Sequence, residues 1–178
     1  MDVDGNFGAE LEVELPATID LSISHDLNSQ LTLHGSIVWT EWSTFESLNP
    51  NTGVFDAITG APVDTFLATQ QDWEDTFRYA VGATYRHDDR WTFRTGVAYD
   101  ETPISDSNRT LRIPDGDRLS LSLGASYLVN NYLSLDFGYS YTFVDTISLG
   151  ENDNGLIGTD SRGEGDIQEF SIGVSGSF

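Results

Sequence analysis

Eight stretches of this chain of 178 residues alternate apolar and polar side chains, and on one parity the apolar set carries no charge across its middle. Between residues 119 and 129, one parity reads Leu119, Leu121, Leu123, Ala125, Tyr127 and Val129, and the other reads Ser120, Ser122, Gly124 and Ser126. A strand sends successive side chains to opposite faces, so one face is hydrocarbon and the other is small and polar. Such a strand has two homes. In a soluble sheet the apolar face meets a packed core and the polar face meets water. In an outer-membrane barrel the apolar face meets lipid and the small polar face lines a lumen.

The remaining stretches are 7–15 (Phe7, Ala9, Leu11, Val13, Leu15 opposite Glu10, Glu12 and Glu14), 17–25, 30–42, 76–86, 90–100, 132–144 and 168–178. Their lengths suit tilted membrane strands of about 9–11 residues rather than globular strands of about 5–6. All five prolines fall between strands or at their ends, where no ladder hydrogen bond is lost. Short turns are expected at 26–29, 87–90 and 129–132, and long loops at 43–75, 101–117 and 145–166. That alternation predicts an all-β antiparallel transmembrane barrel with periplasmic turns and extracellular loops. Aromatic residues gather toward the strand ends: Tyr85, Trp91, Tyr127, Tyr132 and Phe178 low, and Trp39, Tyr99, Tyr139, Tyr141 and Phe143 high. Two such girdles are expected where amphipathic rings meet headgroups, although cross-strand ring pairs also occur in soluble sheets.

Composition narrows the choice. No run of about 18 apolar residues exists, so a transmembrane helix is excluded. The mean hydropathy of −0.27 is no argument against a barrel, because alternation dilutes it. There is no cysteine, hence no disulfide and no thiol chemistry. The net charge of −21, from 29 acidic residues against 8 basic ones that are all arginine, repels nucleic acid. The acidity solvates long loops, or bridges through divalent cations to lipopolysaccharide phosphates, or attracts cations to a mouth. The start, Met1-Asp2-Val3-Asp4, lacks the basic and apolar segments of a secretory signal, so a mature or truncated piece is expected, or else a chain that stays in the cytoplasm.

Four segments carry a resemblance: LPATIDLSISHDLNSQLTLHGSIVWTEWSTF, DWEDTFRYAVGATYRHDDRWTFRTGVAYDETPI, NRTLRIPDGDRLSLSLGASYLVNNYLSLDFGYSYTF and the closing FSIGVSGSF. They resemble the C-terminal half of the FadL family, outer-membrane transporters of long-chain fatty acids and other hydrophobic compounds. The RIPDGDR and WTEWS stretches are the most specific. The resemblance implies a barrel of fourteen strands with a lumenal N-terminal plug, of which residues 17–178 supply seven strands. Residues 1–16 would then be an extracellular extension or a first strand, and the plug would be absent. Seven strands alone leave unpaired edges in lipid, which cost several kcal/mol per group. The rival count closes residues 7–15 and the other seven stretches into a small eight-stranded structural or adhesive barrel. A soluble secreted β-sandwich that binds carbohydrate stays open as a third reading. The last strand also resembles the signal read by the barrel-assembly machinery, with a terminal Phe178 behind alternating apolar residues, although Gly176 stands where a larger residue is usual. A full-length chain is expected to be a monomer in the outer membrane of a Gram-negative cell.

The lumenal parity carries Arg78, Arg94 and Arg118 with Asp20, Asp100 and Asp136, and Arg109 and Arg112 lie in the loop above. A fatty-acid carboxylate is well matched by an arginine fork. The alternative is that lumenal acids satisfy the same arginines. Arg78 and Arg94, on adjacent strands, are the first candidates for ligand binding, with Arg118 beside them. Trp42, Phe45, Phe55, Phe66, Leu67 and Trp73 are candidates for the apolar tail, or form a small loop core. Arg112, Asp115, Asp117 and Arg118 are expected to form an ion-pair network around the Asp115-Gly116 turn. The acidic stretch GENDNGLIGTDSRGEGD lacks the spacing of a calcium loop, so no metal is assigned. The three histidines, His25, His34 and His87, are not gathered with a nucleophile and an acid, although Ser22, Ser24 and Ser36 share the lumenal parity near His34. The expectation is passive transport of fatty acids or other hydrophobic molecules, with no enzyme activity and no cofactor.

Overall fold

The computed structural model describes residues 14–45, 47–48, 69–70, 72–105, 109, 114–149 and 161–176. Among the described residues nine strands follow one another: β1 (Thr18–Asp26), β2 (Leu31–Thr40), β3 (Ser47–Leu48), β4 (Thr69–Gln70), β5 (Thr76–Arg86), β6 (Trp91–Asp100), β7 (Arg118–Asn130), β8 (Leu133–Leu149) and β9 (Ser161–Gly176). Seven of them form one antiparallel sheet in the order β1-β2-β5-β6-β7-β8-β9. The two short strands β3 and β4 pair only with each other. Every neighbour in the large sheet is also the next long strand in the chain, which is the up-and-down order of a barrel wall. Residues 7–13 of the expected stretch 7–15, the terminal Phe178 and residues 150–160 of the acidic segment lie outside the described residues; residues 14 and 15 are described and are not strand.

The sheet is inside out relative to a soluble fold. Leu21 is 73% exposed and Ile172 78%, and Ile19, Ile23, Val81, Leu123, Phe170 and Val174 are all exposed on the same parity. Buried hydrophobic side chains among the described residues are Ile104, in the loop after β6, and Ile147, near the long-loop end of β8. Burying one Leu, Ile, Val or Phe side chain is worth roughly 1.5–3 kcal/mol. A face that leaves so many open to water would be far too costly, so its solvent is hydrocarbon. The opposite face is made of small polar residues, and its register aligns them in rows. One row runs Asp20, Val38, Arg78, Asp100, Arg118, Val144, Gly165. Lower rows hold His34 beside Ser24 and Gly82, and then Arg94 between Thr84 and Gly124.

Two details differ from the pattern in the sequence. Both ends of the loop expected over 145–166 are strand, because β8 continues to Leu149 and β9 begins at Ser161. A register shift between Val144 and Ile147 inserts extra residues there, which breaks the strict alternation that marks the membrane part. Gly116 explains how this upper hairpin docks. A Cβ on Gly116 would lie 2.7 Å from Ile147 Cγ2 and 3.0 Å from the Asp145 carbonyl oxygen, so only glycine lets the chain pass under Ile147.

Candidate lumenal binding site

The loop 101–117 folds over the top of β6 and β7, and its own side chains hold it. The Thr102 N–H donates to Asp117 Oδ1 at 2.8 Å, and the Thr102 hydroxyl donates to Asp115 Oδ2 at 2.8 Å. The Tyr99 hydroxyl donates to Asp117, and Arg118 makes a salt bridge with Asp115. Arg109, only 5% exposed, donates from Nε to the Asp115 carbonyl at 2.8 Å and from a terminal nitrogen to the Ile104 carbonyl at 3.2 Å. A buried guanidinium bonded to backbone carbonyls is a structural clamp, and leaving it unpaired would be costly. Of the expected network, Asp115 and Arg118 pair directly, Asp117 instead serves Tyr99 and Thr102, and Arg112 lies outside the described residues. Arg109 acts through tertiary contacts, which no spacing in the sequence reveals.

Aromatic rings close the other side. A 3-10 turn over Trp42–Thr44 follows β2. Trp73 receives the edge of Trp42 at 5.1 Å between centroids and packs on Phe45 at 4.7 Å. Asp75 ties the two segments together by accepting from the Ser43 N–H at 3.0 Å. Hydrogen bonds from the Ser43 hydroxyl, and then from its backbone N–H, hold the Asp75 carboxyl below the usual carboxylate range.

Between loop and rings lies a cavity of about 640 Å³, lined by Trp42, Trp73, Arg78, Asp100, Ile104 and Arg118 among others. It therefore gathers Arg78, Arg118, Trp42 and Trp73, four of the nine ligand candidates singled out in the sequence. Phe45 stands behind Trp73 rather than on the wall. Arg94 is elsewhere: it pairs with Thr84, six residues below Arg78 along β5, about 20 Å away at ~3.4 Å per residue. There it donates to the Ser126 hydroxyl at 2.6 Å, and Ser126 donates on to Asp136. The arginines thus divide. Arg118 is engaged by Asp115, and Arg94 is held by a serine. Among the described residues, no hydrogen bond or ion pair reaches the Arg78 guanidinium. Phe55, Phe66 and Leu67 lie outside the described residues. His34 is bonded to two hydroxyls, Ser24 at 2.9 Å and Thr84 at 3.0 Å, a polar lumenal contact with no acid in it. No group of three or more His, Asp or Glu side chains fit to hold a metal occurs among the described residues.

Comparison with known proteins agrees with this geometry. Residues 4–178 match the family described as outer membrane protein transport protein (OMPP1/FadL/TodX). The long-chain fatty acid transport protein of Escherichia coli (strain K12) is 36% identical over 141 residues, covering 79% of this chain and 30% of that protein. Outer membrane protein P1 of Haemophilus influenzae is 36% identical over 132 residues, covering 74% of this chain and 27% of that protein. The crystal structure of a Pseudomonas aeruginosa FadL homologue superposes with a TM-score of 0.74 at 34% identity, covering 94% of this chain and 37% of that one. The chain spans about 30% of the length of the curated relatives it matches.

Proposed function

The chain belongs to the OMPP1/FadL/TodX family of outer-membrane transport proteins, and on that premise we propose that it forms part of the wall of a passive channel for long-chain fatty acids or related hydrophobic molecules. The observation that carries this reading is the unpartnered Arg78 guanidinium on the wall of an aromatic cavity. A carboxylate arriving there displaces no internal acid, and a guanidinium offers it two parallel hydrogen bonds. Trp42 and Trp73 give the adjoining hydrocarbon a surface to cover. Arg94 would be a second, lower station on the same lumenal face, and Arg118 shapes the wall through Asp115. Nothing in this arrangement requires a cofactor or an energy source, because the ligand moves down its own gradient.

Oleate binding to the full-length outer-membrane protein in detergent tests the assignment. A charge-assisted hydrogen bond is worth about 1.5–3 kcal/mol, so Arg78→Ala should weaken oleate binding by about ten- to a hundredfold. Methyl oleate, which lacks the charge, should bind wild type and variant alike. Equal oleate affinity in the two proteins would remove Arg78 from the site.

A further inference from the structure

The periplasmic rim carries a feature that ligand passage does not use. The short turns join β1 to β2 at 27–30, β5 to β6 at 87–90, and β7 to β8 at 131–132. The first and third contain no charged residue. The second reads His87-Asp88-Asp89-Arg90. In a chain with 29 acidic residues and only 8 arginines, a cation at this end is uncommon. His87 follows Tyr85 on the lipid-facing parity, and its ring lies 6.0 Å from Tyr85 and 6.3 Å from Phe93. Phe93 stacks on Trp91 at 5.8 Å with the rings 5° from parallel, and Trp91 packs on Tyr127 at 4.7 Å. Arg90 donates to the Tyr127 hydroxyl at 3.3 Å. The result is a continuous strip of rings, Tyr85, His87, Phe93, Trp91 and Tyr127, with the Arg90 guanidinium at the Tyr127 end.

Of the two acids in the turn, Asp88 is spoken for. Its carboxylate accepts the N–H groups of Arg90 at 2.8 Å and Trp91 at 2.7 Å, which closes the hairpin. Asp89 is exposed, and its charge, unlike that of Asp88, is not held by the hairpin's backbone N–H groups. The Arg86 guanidinium faces the lumen and reaches Thr32 at 3.4 Å, so it does not join the strip.

We infer that this strip is a binding site for a phospholipid of the periplasmic leaflet, with Arg90 and His87 on the phosphate and the rings of Tyr85, Phe93, Trp91 and Tyr127 under the glycerol and upper acyl chains. Position and charge select the occupant. The strip lies on the lipid face at the short-turn end, where the leaflet is phospholipid, and a guanidinium paired only with a neutral phenol keeps donors for an anion. Rings at headgroup depth are stable there on their own account, but a guanidinium at one end of the ring row adds specificity for a phosphate. The inference rests on the outer-membrane placement of the chain and is independent of the lumenal ligand.

The test is native mass spectrometry of the full-length protein released from micelles containing equal amounts of dioleoylphosphatidylglycerol, dioleoylphosphatidylcholine and lipid A. Wild type should retain phosphatidylglycerol preferentially. The double variant His87→Gln with Arg90→Gln should lose that preference by about fivefold, from roughly 1 kcal/mol for the Arg90 surface cation. Arg90→Lys, which keeps the charge at the rim, should retain most of it, and Arg162→Gln, at the opposite end of β9, should leave it unchanged. Heat-modifiable migration in gels checks that each variant is a folded barrel. Equal retention of the two phospholipids by wild type would reduce the strip to general annular contact and overturn the inference. So would preferential retention of lipid A over both, which would place the strip at the other leaflet.

Discussion

At the scale of single residues, the surroundings of a charge decide its role more than its identity does. Arg78 and Arg118 lie two strands apart on one lumenal row, yet only Arg118 has an acid bonded to it. Both arginines were legible as lumenal from parity alone. The network expected at the Asp115-Gly116 turn already joined Arg118 to Asp115; what the sequence left open is the loop path that the Arg109 clamp and Gly116 fix. Asp88 makes a prediction at this scale. Hydrogen bonds from the Trp91 and then the Arg90 backbone N–H hold its carboxyl below the ordinary value. A carboxyl depressed in the fold stabilises it only while ionised. That contribution is full above the unfolded value, about 4, and disappears as pH falls through the lower folded value. Asp88→Ala should therefore lower the urea midpoint at neutral pH, and the difference from wild type should shrink below about pH 3. A pH-independent difference would show that the side chain acts by something other than its charge.

At the scale of elements, strands announce themselves where one face meets a uniform solvent and fall silent where it does not. β1, β2, β5, β6 and β7 begin and end within about two residues of the alternating stretches, because lipid on one side and lumen on the other impose period two along their whole length. β8 and β9 outrun their stretches because the register shift above Val144 moves side chains off strict alternation, and the hairpin above it faces the loop 101–117 rather than lipid. The membrane part makes a measurable distinction between adjacent positions. Leu123 is 62% exposed on the lipid side, whereas Ser122 bonds the Gly96 carbonyl on the lumenal side. Leu123→Arg should destabilise folding into lipid vesicles by about 2–4 kcal/mol, the cost of an arginine near the bilayer midplane. Ser122→Arg should cost much less, since its guanidinium enters water. Similar losses for the two variants would contradict the assignment of faces.

At the scale of the whole molecule, direction limits how the wall can be completed. β1 and β9 both run from the long-loop end to the short-turn end, so joining their free edges directly would create a parallel seam. Antiparallel closure needs an odd number of further strands between them, and the seven implied by a fourteen-stranded relative satisfy that condition. A single added strand, such as residues 7–15, satisfies it too, which is why the sequence supported both counts. The coverage of about 30% of the curated relatives favours the larger barrel. Both closures require that the hydrocarbon face of the sheet look outward, and this can be measured without regard to strand number. The chain has no cysteine, so single spin labels can be placed one at a time from Leu119 to Tyr127 in the full-length protein reconstituted in liposomes. Collision rates with oxygen should peak at 119, 121, 123, 125 and 127, and those with a water-soluble nickel chelate at 120, 122, 124 and 126. Low rates for both reagents at the odd positions would mean a packed protein core on that face, and would contradict the barrel account.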